Sequence, residues 1–235
     1  MLILGIETSS DICSVSLYKN NDFLYYNESN TSLKHSVTLF NMINDLINKT
    51  KIKIEDLDYI AVSNGPGAFT GLRIGVAAAL GLSYKDNIKI KYINTLESLN
   101  YCIDKRINKN YSDNKNYIVD LIYAQKNRLY INIYDIKRKR MMIKDSLIDL
   151  DEFIILYNKY LKTINNFIIA GDGYVLNKSE LDKKINYKNN ELYTQNAKLI
   201  VLMSLDNKYK NMTASINYVQ KSSAEINYLK NKLAK

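Results

Sequence analysis

Apolar and polar positions change period several times along the first hundred residues. Leu2–Glu7, apolar up to the acid that ends it, predicts a buried strand. From Cys13 to Tyr18, Val15 and Leu17 alternate with Ser14, Ser16 and Tyr18, the period of a half-buried strand. Phe23–Tyr26 predicts a third strand. The short polar connections Thr8–Asp11 and Asn20–Asp22 predict a meander of hairpins. Antiparallel strands at this point exclude a simple doubly wound start. Between His35 and Lys49 the period lengthens, with Val37, Leu39, Phe40, Ile43, Leu46 and Ile47 on a helical spacing and Thr31 or Ser32 as cap. Asp58–Ser63 and Ile88–Ile93 predict strands. A glycine turn and helix lie between them, and a further helix starts at Thr95.

The second half starts near Lys105 with a polar, basic stretch, Arg106–Lys115, that predicts a linker. Strands are expected at Tyr117–Tyr123, Leu129–Tyr134, Met141–Leu147 and Phe167–Ala170, with helices at Asp149–Tyr160, Ala197–Asn207 and Ala224–Leu233. Three strands, a helix and a strand repeat the plan of the first half, although no sequence repeat proves it. The expected division is a first lobe over 1–105, rejoined by a C-terminal helix within 222–235, and a second lobe over 106–221.

The segment Ser63–Gly75 (SNGPGAFTGLRIG) stands out. Gly65 and Gly67 end a strand, and Thr70 is placed to cap a helix opening at Gly71. Free amides at such a start favour an anion, so a phosphate-facing loop and a rigid connection that binds nothing both fit. No Lys-Ser/Thr follows the glycines, so the string is not a P-loop. From Ile74 to Leu82 the helix has no polar side, and a helix apolar all round is buried all round. Its second cover is either another subunit or the chain itself.

Composition narrows the chemistry. The chain has 235 residues, two cysteines, one histidine and one proline. Cys13 and Cys102 suggest a reducing compartment. No run approaches the roughly 20 apolar residues of a membrane span. The start lacks the basic lead of a signal peptide, so a cytoplasmic protein is expected. A net charge of +9 fits either a nucleic-acid partner or a compositional drift toward Lys, Asn, Ile and Tyr. The one dense basic cluster, Lys137–Arg140, sits where a hairpin turn is expected.

With a single histidine, His35, neither a catalytic triad nor a metal site assembles from recognisable motifs. Glu7, Thr8, Ser9 and Asp11 form a carboxylate-bearing turn after the first strand, and Asp172 lies between Gly171 and Gly173. Together with the Gly65 loop they keep open a small-molecule kinase as an alternative function, and more remotely a metallopeptidase.

The strings Leu4–Ser10 (LGIETSS), Cys13–Leu17, His35-Ser36, Gly65–Gly75 and Asn94–Leu99 closely resemble the bacterial TsaB family, formerly YeaZ. The resemblance implies an α/β fold of the actin, sugar-kinase and heat-shock-chaperone superfamily, with mixed sheets and a reduced second lobe. It also implies a role in making threonylcarbamoyladenosine (t6A) on tRNA as a non-catalytic subunit. Its implied partners are the catalytic subunit TsaD, the ATPase TsaE and, through the complex, tRNA; alone, such proteins pair with themselves. It implies no metal and no cofactor of its own, with ATP or ADP at most at the complex interface. The implied subunit contact is formed by two helices and marked here by His35, Leu39, Phe40, Ile43, Gly71, Arg73, Ile74, Ala77, Ala78 and Gly81. Thr8, Ser9, Gly65, Gly67, Thr70, Gly171 and Asp172 are the candidate phosphate-facing residues. The family's Asp-Ala-Arg string reads Tyr123-Ala124-Gln125 here, and its late Pro-x-Tyr-x-Arg reads Ile216–Gln220.

Overall fold

The computed structural model describes residues 1–30, 35–110, 117–162, 167–185, 187, 193–206, 216, 217 and 219, with the side chains of 106–110 left aside. Tertiary contacts divide them into two units. The first is built on residues 1–98 with 195–217, and the second on 99–194.

The first unit is a mixed five-stranded sheet of order β3-β2-β1-β4-β5. Strands β1 (Leu2–Glu7), β2 (Ile12–Lys19) and β3 (Asp22–Asn30) form the antiparallel meander, β4 (Tyr59–Gly65) runs parallel to β1, and β5 (Lys89–Asn94) runs parallel to β4. Helices α1 (His35–Thr50) and α2 (Phe69–Tyr84) cover one face. There Leu4, Ile6, Val15, Leu17, Ile60 and Val62 meet Leu39, Ile43, Leu46, Ala78 and Ala79 in one core. The alternating side chains of β1 and β2 face the other way.

That second face is closed from far along the chain. A helix over Ala197–Ser204, α7 in chain order, is capped by Asn196, whose carboxamide oxygen accepts from the Lys198 and Leu199 amides. The Ala197 amide donates to Ser14 Oγ at 3.0 Å, and Ser16 Oγ donates to the Ala197 carbonyl at 3.1 Å. The expected boundaries therefore need correction. Residues 195–217 belong with the first sheet, not the second lobe. The polar stretch from Arg106 is also not a linker at its start, because α3 (Thr95–Asn110) runs through it. The helix expected within 222–235 and the caps Thr31 and Ser32 lie outside the described residues.

The second unit repeats the plan with four strands, in order β8-β7-β6-β9. Strands β6 (Tyr117–Gln125), β7 (Arg128–Asp135) and β8 (Arg140–Asp149) form an antiparallel meander, and β9 (Phe167–Ala170) pairs parallel with β6. Val119, Leu121, Ile131 and Ile133 pack against Phe153, Tyr157, Tyr174 and Leu181. These come from α4 (Leu150–Leu156), its π-turn extension Tyr157–Leu161, and the short helices α5 (Asp172–Leu176) and α6 (Lys178–Lys184). The opposite face packs Ile118 and Ala170 against Ile103 of α3. Mixed sheets flanked by helices, twice over, are the α/β class the sequence predicts.

Candidate functional site

The β1–α2 junction explains the glycine string. Gly65 ends β4 at φ +102°, a conformation that L side chains rarely adopt. Gly67 packs on the Ser9 backbone, and the Ala68 amide donates to the Ser9 carbonyl at 2.6 Å. One turn on, Thr8 Oγ1 donates to the Gly71 carbonyl at 2.8 Å. A Cβ on Gly71 would overlap the Thr8 carbonyl oxygen, and one on Gly75 would overlap Thr8 Oγ1. The glycines thus let helix backbone lie directly on the Thr8–Ser9 turn.

Several sequence expectations change here. Thr70 is not the cap: α2 starts at Phe69, its N-cap is Ala68 without a side-chain cap bond, and Thr70 is exposed. Thr8, Ser9, Gly65 and Gly67 are buried, and the contacts just given are with the chain's own backbone. Asp172 is buried and its Oδ1 accepts from the Tyr123 amide at 2.9 Å, while Gly171 (φ +98°) packs on the Leu121 carbonyl. Apart from Thr70, each of these residues has a structural employment that its sequence context does not reveal.

Glu7 is fully buried. Its Oε1 accepts from the Ser9 amide at 2.5 Å and from Ser63 Oγ at 3.0 Å, while Oε2 has no partner among the described residues. Burial raises its pKa, with the Ser9 and Ser63 hydrogen bonds acting in the opposite direction. Asp11, the other acid of this turn, is exposed. His35 is buried at the start of α1, where its Nε2–H donates to the Ser10 carbonyl at 2.7 Å, fixing that tautomer. Among the described residues no group of three metal-ligating side chains gathers, and no helix is long and apolar enough to cross a membrane.

The expected contact residues split in two. Leu39, Ile43, Gly71, Ala78 and His35 are buried in the chain's own core and present no surface, and Ile74 is half-buried. Phe40, Arg73, Ala77 and Gly81 are exposed. Four residues absent from the expected set join them: Val37, Phe69, Leu80 and Tyr84, the last two 51% and 90% exposed. The Arg73 guanidinium stacks 3.7 Å from the centre of the Phe69 ring. So the helix expected to be covered all round carries a bare apolar stripe, continuous in type with Val37 and Phe40 on α1. A spacing of three and four from Phe69 through Arg73, Ala77, Leu80 and Tyr84 is the signal that could have found it.

In the basic cluster, Arg138 bonds Asp135 at 3.2 Å and Lys139 bonds Asp104 at 2.6 Å. These pairs hold the β7–β8 turn. Lys137 and Arg140 are exposed.

The folded plan defines the class as an α/β protein with two mixed sheets of common topology. Comparison with known proteins narrows it. A family model described as "TsaD: tRNA N6-adenosine threonylcarbamoyltransferase" matches residues 29–185. The chain is 30% identical over 223 residues to the tRNA threonylcarbamoyladenosine biosynthesis protein TsaB of Buchnera aphidicola subsp. Acyrthosiphon pisum, covering 93% of this chain and 97% of that one. It is 29% identical over 99 residues to TsaB of Escherichia coli, 42% of each chain. In structure it is similar to YeaZ from Pseudomonas aeruginosa, with a TM-score of 0.66 at 19% identity over 93% of this chain and 99% of that one. The chain belongs to the TsaB (YeaZ) family.

Proposed function

We propose that this chain is a non-catalytic subunit of tRNA t6A biosynthesis in the cytoplasm, and that it binds a TsaD homologue through the exposed apolar stripe of α1 and α2. The observation that carries the pairing is the stripe itself: Val37, Phe40, Ala77, Leu80, Gly81 and Tyr84 are bare on two adjoining helices of one unit. A contiguous apolar patch on two packed helices marks an interaction surface. The non-catalytic reading is supported by the β1–α2 junction, where Thr8 Oγ1 is taken up by the Gly71 carbonyl and the Ala68 amide by the Ser9 carbonyl. TsaE joins the assembly as a further partner, ATP or ADP enters at most at the complex interface, and the isolated chain pairs with itself through the same stripe.

The test is reconstitution. The chain is mixed with a TsaD homologue, a TsaE homologue, tRNA and the other small-molecule substrates, and t6A is counted by nucleoside mass spectrometry with and without it. We expect t6A to require the chain and the chain alone to form none. Full modification in its absence would refute the reading.

A role for the charge follows from the same assembly. We expect the double change Lys137→Ser and Arg140→Ser to weaken tRNA binding by the complete complex, and to flatten its salt dependence by about two phosphate contacts. Filter-binding curves at several salt concentrations that superpose on those of the unaltered complex would remove the cluster from the tRNA surface. Arg138 is left unaltered because its pairing with the buried Asp135 is structural.

A further inference from the structure

Asp120 of β6 stands directly opposite Asn132 of β7 in the antiparallel register, and both are fully buried. Directly opposed residues share a face and lie roughly 5 Å apart at Cβ. Alternation from Ile118 puts Asp120 on the α3 face of the second sheet, beside the Ile103–Ile118–Ala170 cluster. Among the described residues neither Asp120 oxygen, nor Asn132 Oδ1, has a partner at full hydrogen-bond geometry, with the Asn100 side chain of α3 reaching toward Asp120. The Asn132 amide orientation is set from the far side, where Nδ2 donates to Asp145 Oδ1 of β8 at 3.2 Å. Turning the amide over would aim its carbonyl at the Asp145 carboxylate. Three acceptor oxygens are thus carried by two directly opposed, buried residues, and acceptors cannot satisfy one another. An ionised, unpartnered carboxylate is a far costlier occupant of a buried spot than a neutral acid.

We propose that Asp120 is held as a neutral carboxylic acid whose O–H donates to Asn132 Oδ1, so that Asp120, Asn132 and Asp145 form a proton-dependent relay fastening β6, β7 and β8 beneath α3. Each bond then has a donor and an acceptor: Asp120 O–H to Asn132, and Asn132 N–H to Asp145. The groups around Asp120 agree. Burial is the largest influence raising its pKa, and the charge of Asp145 from β8 adds to it. Asn100 from α3 acts in the opposite direction and is not titratable. The neighbour from β9 is Ala170, and the α3 acid Asp104 is ion-paired with Lys139.

A folded-state pKa above the ordinary carboxylate value makes the relay's contribution complete in acid and progressively lost as pH rises toward that folded value. Asp120→Asn keeps the shape and supplies an N–H for Asn132 at every pH. In the full-length protein labelled with carbon-13 aspartate, we expect a protonated carboxyl infrared band at about pH 7 that disappears in Asp120→Asn. We also expect the wild-type thermal midpoint to fall between about pH 5 and about pH 8 relative to the variant's, leaving the variant more stable at the upper end. A carboxylate at Asp120 at neutral pH, or parallel midpoint curves, would overturn the proposal. So would a band that converts to carboxylate on adding potassium or magnesium, which would put a cation where the proton is placed. If Asp120→Asn does not fold, Asn132→Leu decides. It removes the acceptor, and the wild-type band must then move to that of a free acid.

Discussion

Gly71→Ala is expected to destabilise the isolated chain by about 3 kcal/mol, although alanine is the better helix former. In an exposed helix interior the same change gains up to about 1 kcal/mol. The opposite sign is expected here because the new methyl would meet the Thr8 carbonyl oxygen, a backbone atom at the end of β1 that cannot swing aside. The helix must lift, and Leu72, Ala78 and Ala79 leave the core with it. Gly75→Ala should cost less, about 1–2 kcal/mol. Its clash is with Thr8 Oγ1, a side-chain atom that can rotate at the cost of its bond to the Gly71 carbonyl. Gly81→Ala meets nothing within 4 Å and should be neutral or stabilising. Urea unfolding of the three variants measures the order directly. A Gly71→Ala protein as stable as Gly81→Ala would mean that the helix does not sit on the Thr8 turn.

The same glycines show where sequence reading stops. Their spacing marks a strand-to-helix turn, and that turn is where it was expected. Whether such a turn receives a phosphate or a second stretch of backbone is decided by Thr8 and Ser9, some sixty residues earlier in the chain. Local pattern carries no record of that meeting. The strands of both meanders were legible because one buried face imposes a period of two, as in Val15 and Leu17. The helix Ala197–Ser204 reads as part of the second lobe because its attachment to the first sheet is made by two serines, Ser14 and Ser16, whose hydroxyls face a helix more than 180 residues away. Polar residues in a strand read as solvent-facing when their partner is that remote. The start of the stretch after Lys105 reads as a linker on composition alone, yet α3 continues through it to Asn110. In β6, Asp120 interrupts an apolar run, a signal that was present and is explained only by its opposite number on β7.

The hardest positions to read were Ala77 and Ala78. They are the same residue, adjacent, in a helix without a polar side, and one is exposed while the other is 4% exposed. That difference fixes how the subunit contact must be tested. Ala78→Arg would drive a guanidinium into the core with Leu39 and Ile43 and cost several kcal/mol by burying an unpaired charge. Loss of partner binding would then only report an unfolded chain. Ala77→Arg places the same group on the outer face, where arginine is nearly as good a helix former as alanine, so the fold should be unchanged within about 0.5 kcal/mol. If the stripe is the contact, the arginine must be desolvated against an apolar partner surface. The expected penalty of about 3–5 kcal/mol weakens the complex by about two to four orders of magnitude. Leu80→Arg, one turn further along the same stripe, should do the same, while Lys53→Ala, on an exposed turn outside it, should do nothing. Thermal melting of each variant alone and co-elution with the TsaD homologue on gel filtration separate the outcomes. Ala77→Arg and Leu80→Arg proteins that melt as wild type and still co-elute at micromolar concentration would place the contact elsewhere on the chain.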